Sequence, residues 1–297
     1  MDDLPYDFKE LVCRITKDAV LPKLSDFQDD VWSNLGTLHY ENRRNLLFSF
    51  KLDNLSNSIY WSIRDCGTDI IISTDFKDLS PRFDQIVCVV ENAVRTDYGL
   101  PFGTEDADKL PRLLTMAWNF FTGEELYFEQ KKSQDVIVET GLVRQFNSIS
   151  LGHHGECSEV IFAAQDKTKL NYCSLHDWEG DIADDLWTLL RNRNMAQLFL
   201  KSPQQNVFSK EMLKFYVDRF LDNYYDADFV LNVDVNFDHL EVLKSYRKDE
   251  QTELYDESSE IEFRKGDSNE FLEFYKSGVT SISSVVFKRR NFKKNQI

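Results

Sequence analysis

The chain has 297 residues, 42% hydrophobic and 29% charged, which is ample for a folded protein and more than one small core needs. Its formal charge of −16 works against nucleic-acid binding, because affinity for a polyanion rests on Lys and Arg neutralising phosphates. No apolar run approaches the roughly 18–20 residues that span a bilayer. The start Met1-Asp2-Asp3 is unlike a signal peptide, and Cys13, Cys66, Cys88, Cys157 and Cys173 stand without tandem spacing. The expectation is an intracellular protein, cytoplasmic or nuclear, with reduced thiols and no membrane or nucleic-acid partner.

Residues 1–45 read as a helical head. Leu4-Pro5 is an extended entry, with proline near a helix start where its missing N–H costs little. Phe8, Leu11, Val12 and Ile15 follow three or four apart on one helical face, and a second short helix presents Leu24, Phe27, Val31 and Trp32 or Leu35. So short a helical stretch makes no large core alone, and a partner or the following chain has to complete it.

This order of residues resembles the F-box, the helical motif that docks onto the small adaptor subunit of cullin–RING ubiquitin ligases. The opening Met1-Asp2-x-Leu4-Pro5-x-x-Phe8, with Trp32, His39, Asn42 and Arg43 and the β segment behind them, is similar to the divergent F-box proteins of nematodes. The resemblance implies docking on the adaptor, and through it on the cullin complex, by Leu4, Pro5, Phe8, Val12, Ile15, Leu24, Phe27 and Trp32. The same helices also suit an N-terminal cap that covers the first apolar edge of a repeat array. Both readings stand.

Residues 46–78 change character. Segments 47–52, 59–63 and 69–72 are β-branched or aromatic, with the turn-prone 53–58 and 65–67 between them, and predict a three-stranded β meander linking head to repeats.

From residue 79 to 290 strand and helix signals alternate. A strand is expected over 86–90, a helix over 107–121, a short strand over 126–128, and helices over 134–144, 158–168, 181–193 and 210–225. Between the helices recurs a spaced apolar triplet: Phe146/Ile149/Leu151, Leu170/Cys173/Leu175 and Met195/Leu198/Leu200, whose starts lie 24 and 25 residues apart. Looser copies stand at Phe83/Ile86/Cys88 and Ile282/Val285/Phe287, and 229–233 continues the strands. One such unit buries its apolar face only when a neighbour stacks on it. The pattern resembles leucine-rich repeats, although the places where that family sets an asparagine or cysteine hold His154, Trp178 and Pro203. The fold class expected is α/β: helical head, β meander, then an irregular leucine-rich-repeat-like solenoid. The acid-rich stretch 247–260 reads as a solvated loop. A basic tail, 291–297, closes a cluster of Lys288, Arg289, Arg290, Lys293 and Lys294 that suits either a nuclear-import address or a plain solvated end.

Period-two alternation sends Ile149, Leu151, Cys173, Leu175, Leu198 and Leu200 to the core. Tyr127, Ser148, Ser150, Tyr172, Ser174, His176, Gln197, Phe199 and Lys201 then line the open sheet face, a surface of amphipathic aromatics suited to holding a protein substrate.

For chemistry the sequence offers His153, His154, Cys157, Cys173 and His176, two pairs with zinc-like spacing. Cys173 and His176 are three apart, however, and point to opposite faces of a strand. There is no phosphate loop, dinucleotide fingerprint, nucleophile elbow or H-E-x-x-H. No catalytic residue, metal or cofactor is therefore expected. The reading is a non-enzymatic substrate receptor of an SCF-type ubiquitin ligase, or a repeat scaffold in which the head serves only as a cap.

Overall fold

The computed structural model describes residues 4–16, 20–26, 29–92, 102–202, 207–222, 229–235, 237, 241–242, 260–264, 270–277 and 283–291. Ile15, Ser25, Phe220, Leu221, Asp234 and all residues from 260 onward are described by backbone alone. The fold is mixed α/β. The chain divides into two compact units, Met1–Leu126 with Glu139–Leu142, and Tyr127–Val138 with Val143–Ile297.

Three helices open the first unit: α1 (Tyr6–Ile15), α2 (Leu21–Ser25) and α3 (Asp30–Asn42). The Pro5 carbonyl accepts from the N–H groups of Phe8 and Lys9, so the proline starts α1 as its fixed φ allows. Asp29 caps α3, its carboxylate accepting from Val31 and Trp32 N–H. Cys13, Leu21, Trp32 and Leu35 form the interior of the three helices, with Val12 and Leu24 packed against it.

A sheet follows. Strands β1 (Arg44–Asp53), β2 (Ser58–Asp65) and β3 (Ile71–Ser73) pair antiparallel in that order. On the other side of β1 lies β4 (Asp84–Glu91), parallel to it, and next to β4 stands β6 (Phe121–Phe128). A further strand, β5 (Gly103–Asp106), adds to β2. Alternation puts Phe48, Phe50 and Leu52 opposite Ile63, Trp61 and Ile59, and all six are buried. Phe76 stacks on Trp61 at 5.1 Å. On the other face Ser49 meets Ser62, hydroxyl to hydroxyl at 2.9 Å.

Two expectations shift here. The meander is no linker, because β1 pairs with both β2 and β4 and is internal to the sheet; the division between units falls inside β6 and not after 45 or 78. The helix expected over 107–121 is a 3-10 turn, Ala107–Lys109, and α4 (Leu110–Trp118). Phe121 already belongs to β6, yet it sits three and four places after Trp118 and Ala117 and so mimics the next helical position.

In the second unit α5 (Lys131–Glu139), β7 (Ser148–Gly152), α6 (Glu156–Ala163), β8 (Tyr172–His176), α7 (Ala183–Arg191), β9 (Gln197–Leu200), α8 (Lys210–Leu221) and β10 (Val230–Val235) alternate. Strands β7 to β10 lie side by side in chain order, all parallel. The register stacks Ile149, Cys173, Leu198 and Leu231 in one row and Leu151, Leu175, Leu200 and Val233 in the next. All eight are buried, as are the leading triplet residues Phe146, Leu170 and Met195.

The carbonyls and amides at the turns need partners even without an asparagine ladder. Two amides outside the triplets supply them. Buried Gln165 accepts from Phe146 N–H and donates to the carbonyls of Arg144 and Ile161. Asn192, at the end of α7, donates to the carbonyls of Lys167 and Leu170.

The C-terminal strands run otherwise than a further repeat would. Strands β11 (Glu260–Arg264), β12 (Glu270–Ser277) and β13 (Ser283–Asn291) pair antiparallel, and β13 is antiparallel to β10, with Val285 opposite Val233 and Phe287 opposite Leu231. A spaced triplet records which side is apolar and carries no strand direction. Lys288, Arg289 and Arg290 fall in β13, while Lys293, Lys294, Ile282 and nearly all of 247–260 lie outside the described residues.

Candidate functional site

The first candidate surface is α1. Its buried side carries Cys13 and Lys9, whose ammonium meets the Asp29 carboxylate at 2.6 Å and stands over the Trp32 ring. That ammonium, hydrogen-bonded to Asp29, holds its carboxyl below the usual carboxylate range. The outer side carries Phe8 and Leu11, three apart and 46% and 51% exposed, and Leu4, 38% exposed, stands just ahead of the helix. Pro5 and Val31 are exposed as well.

The other expected docking residues divide. Val12 and Leu24 are half-buried against the head core. Trp32 is a correction: at 5% exposure it belongs to that core and presents no ring to a partner. Its position in α3 puts it on the same side as Leu35, three places on, and the pair fills the space between the helices. Phe27 lies outside the described residues and Ile15 is described by backbone only.

The far end of α1 is tied to the sheet of its own unit. The Arg43 guanidinium donates to the carbonyls of Cys13, Arg14 and Thr16, groups a helix end leaves without intrahelical partners. Gln85, on β4, donates to the Arg14 carbonyl. Glu10 accepts two bonds from Arg82, at 2.7 and 2.9 Å, and one contact from His39 Nε2 at 2.9 Å. The Arg82 guanidinium pulls the Glu10 carboxyl below its ordinary pKa. Burial pushes the His39 imidazole pKa down despite Glu10, which favours the neutral ring. None of Glu10, Arg82 or Gln85 stands out in sequence, because the bonds they make, Arg82 to Glu10 and Gln85 to Arg14, cross more than 70 residues.

The second candidate surface is the strand face of the second unit opposite the helices. Ser148, Tyr172 and Gln197 are neighbours across the sheet, as are Ser150, Ser174 and Phe199. The three serines are a correction, since all are buried. Tyr127 and Tyr172 lean together over β7 with ring centroids 5.7 Å apart, and Tyr172 meets Phe199 at 5.8 Å, so the rings roof the short side chains beneath. Ser148 uses its hydroxyl on Asn171 at 2.8 Å, and Ser174 on His176 Nε2 at 2.8 Å. Tyr127, Tyr172, His176, Gln197 and Phe199 remain half-exposed and Lys201 exposed.

The His/Cys cluster comes apart. Cys173 is buried in the core layer, where desolvation raises its thiol pKa, whereas His176 is on the opposite face with Ser174. His154 Nε2 contacts the Glu129 carbonyl at 2.6 Å, Cys157 donates to Gln134 at 3.7 Å, and His153 packs on Trp178. Among the described residues no three His, Cys, Asp or Glu side chains are placed to hold a metal ion. The exposed Cys66 has its thiol pKa pushed up to about 11 by desolvation and is poorly nucleophilic. Among the described residues no helix is long and apolar enough to cross a membrane.

No protein-family model matches this chain, and neither does any curated protein or solved structure.

Proposed function

We propose that this chain is a non-enzymatic substrate receptor of a cullin–RING ubiquitin ligase, working inside the cell. Its F-box-like head docks through Leu4, Pro5, Phe8 and Leu11 onto the adaptor subunit, and its solenoid-like strand face holds the protein to be ubiquitinated. The observation that carries this is the group of exposed apolar residues at the start of the head, Leu4 and Pro5 ahead of α1 and Phe8 and Leu11 on it, above a head core made of other residues. Exposed apolar residues grouped on one end of a helix suit a surface that binds a partner. The mechanism is proximity: a substrate lysine held beside a charged ubiquitin carrier reacts at a raised effective concentration, with no catalytic group on this chain. Affinity purification from cells recovers adaptor and cullin with the wild-type chain and not with Phe8→Ala; recovery of neither by the wild type, where a known receptor recovers both, contradicts the reading.

A second reading, a binding scaffold whose head is only a cap, is favoured by the bonds of Arg43, Gln85 and Arg82 to α1. These seal the head on its sheet whether or not an adaptor binds. The scaffold reading predicts that the outer row of α1 is dispensable for every association the chain makes.

A further inference from the structure

The sequence sets Ser before Pro twice, at Ser80-Pro81 and Ser202-Pro203. Ser202 is buried, and its hydroxyl donates to the Trp178 carbonyl at 2.6 Å. Ser80 is half-buried at the head of a turn, with Pro81 and Arg82 exposed beside it and its carbonyl accepting from Phe83 and Asp84 N–H. Its hydroxyl makes no hydrogen bond among the described residues. Two guanidinia stand nearby. Ser80 N–H donates to Asp84 Oδ2 at 2.6 Å, and Arg44 holds that carboxylate through Nε and Nη2, both at 2.6 Å. Arg82, two places on from Ser80, holds Glu10 in the same side-on way through Nε and Nη2. In both arginines Nη1 makes no hydrogen bond among the described residues, and the side chains are 40% and 42% exposed, within reach of a further acceptor.

We infer that Ser80 accepts a phosphoryl group from a proline-directed serine/threonine kinase, and that Arg82 receives the phosphate at the expense of Glu10. Proline holds the residue before it extended and has no N–H to be satisfied, the form such a kinase takes. The Ser80 oxygen bonds to the γ-phosphorus of ATP as that phosphorus parts from the β–γ bridging oxygen; ADP leaves, and the hydroxyl proton passes to the base of the kinase. The product carries a charge of roughly −1.5 to −2 at pH 7 and three acceptor oxygens, so it outbids a single carboxylate for a guanidinium. Asp84 beside it is already paired with Arg44. Arg82 is one of the groups that fasten α1, and its transfer slackens the head. No step requires an adaptor, and the inference stands apart from the ligase reading.

The test treats the folded full chain with ATP and a proline-directed kinase, maps the product by mass spectrometry and titrates its phosphate by phosphorus NMR beside a short unfolded peptide phosphorylated at Ser80. The inference expects phosphate at Ser80 and not at Ser202, and none in Ser80→Ala. The second ionisation of the phosphate should fall roughly 0.5 or more below its pKa in the peptide and return toward that value in Arg82→Gln. Amide exchange of Tyr6–Ile15 should quicken on phosphorylation and stay unchanged in treated Ser80→Ala. A urea transition confirms that Arg82→Gln is folded, and Glu10→Gln, which retains Arg82, should keep the lowered pKa. An unmodified Ser80 under conditions that fully phosphorylate a standard substrate overturns the inference. So does a phosphate that titrates as in the peptide, or one whose pKa is the same with and without Arg82.

Discussion

His39 and Glu10 tie α1 to α3 and to Arg82, and their titration sets an acid limit on the head. The carboxyl of Glu10 is depressed when folded, so its contribution is present above its unfolded pKa near 4.3 and fades as pH falls through the folded value. The imidazole of His39 is depressed by burial, with Arg43 and Arg82 also opposing its charge. Between its folded value and about 6.5 the unfolded chain therefore binds the extra proton, and stability rises with pH. Both act in one direction. Denaturant melts from pH 7 down to pH 4 should show falling stability below about pH 6.5, and His39→Gln should remove the upper part of that slope. A flat profile in the wild type contradicts the assignment. At the same scale, Phe8→Ala should change stability by no more than about 0.5 kcal/mol because the ring is exposed, whereas Trp32→Ala should cost about 3–5 kcal/mol. Thermal or urea unfolding separates the two.

At the scale of elements, strands β7 to β9 were legible because their three triplets obey one rule: every residue that period two sends inward there is buried. Helix ends were less so, each predicted helix running beyond its real end, and just past α6 and α7 the chain is held by bonds to groups far back in the sequence. Gln165 and Asn192 make those bonds. Their partners Phe146 and Lys167 lie 19 and 25 residues back, and no local pattern points to them. Replacing Gln165 with Leu keeps the volume and strands a buried N–H and two carbonyls, for an expected loss of about 2–4 kcal/mol in urea unfolding. A loss under about 0.5 kcal/mol would show that these amides are not needed at the turns. The open face was legible in direction and not in depth. Alternation places Ser148, Ser150 and Ser174 outward, but side-chain height decides exposure, and the neighbouring rings stand over them.

For the molecule as a whole, the head was legible as an apolar order, Leu4-Pro5, Phe8, Leu11, and the way it is held was not. Its anchoring depends on Glu10 finding Arg82 and Arg14 finding Gln85, long-range pairs that sequence spacing does not reveal. The anchors fasten one end and side of α1 and leave the outer row uncovered, an arrangement suited to presenting that row to a second protein. The most direct test is a calorimetric titration of the full chain with the ligase adaptor subunit, alongside a Leu4→Ala, Pro5→Ala, Phe8→Ala variant shown to be folded. The account predicts micromolar or tighter binding, about −8 kcal/mol or better, lost in the folded variant. Absence of binding by well-folded wild-type protein, or equal binding by the variant, would contradict it.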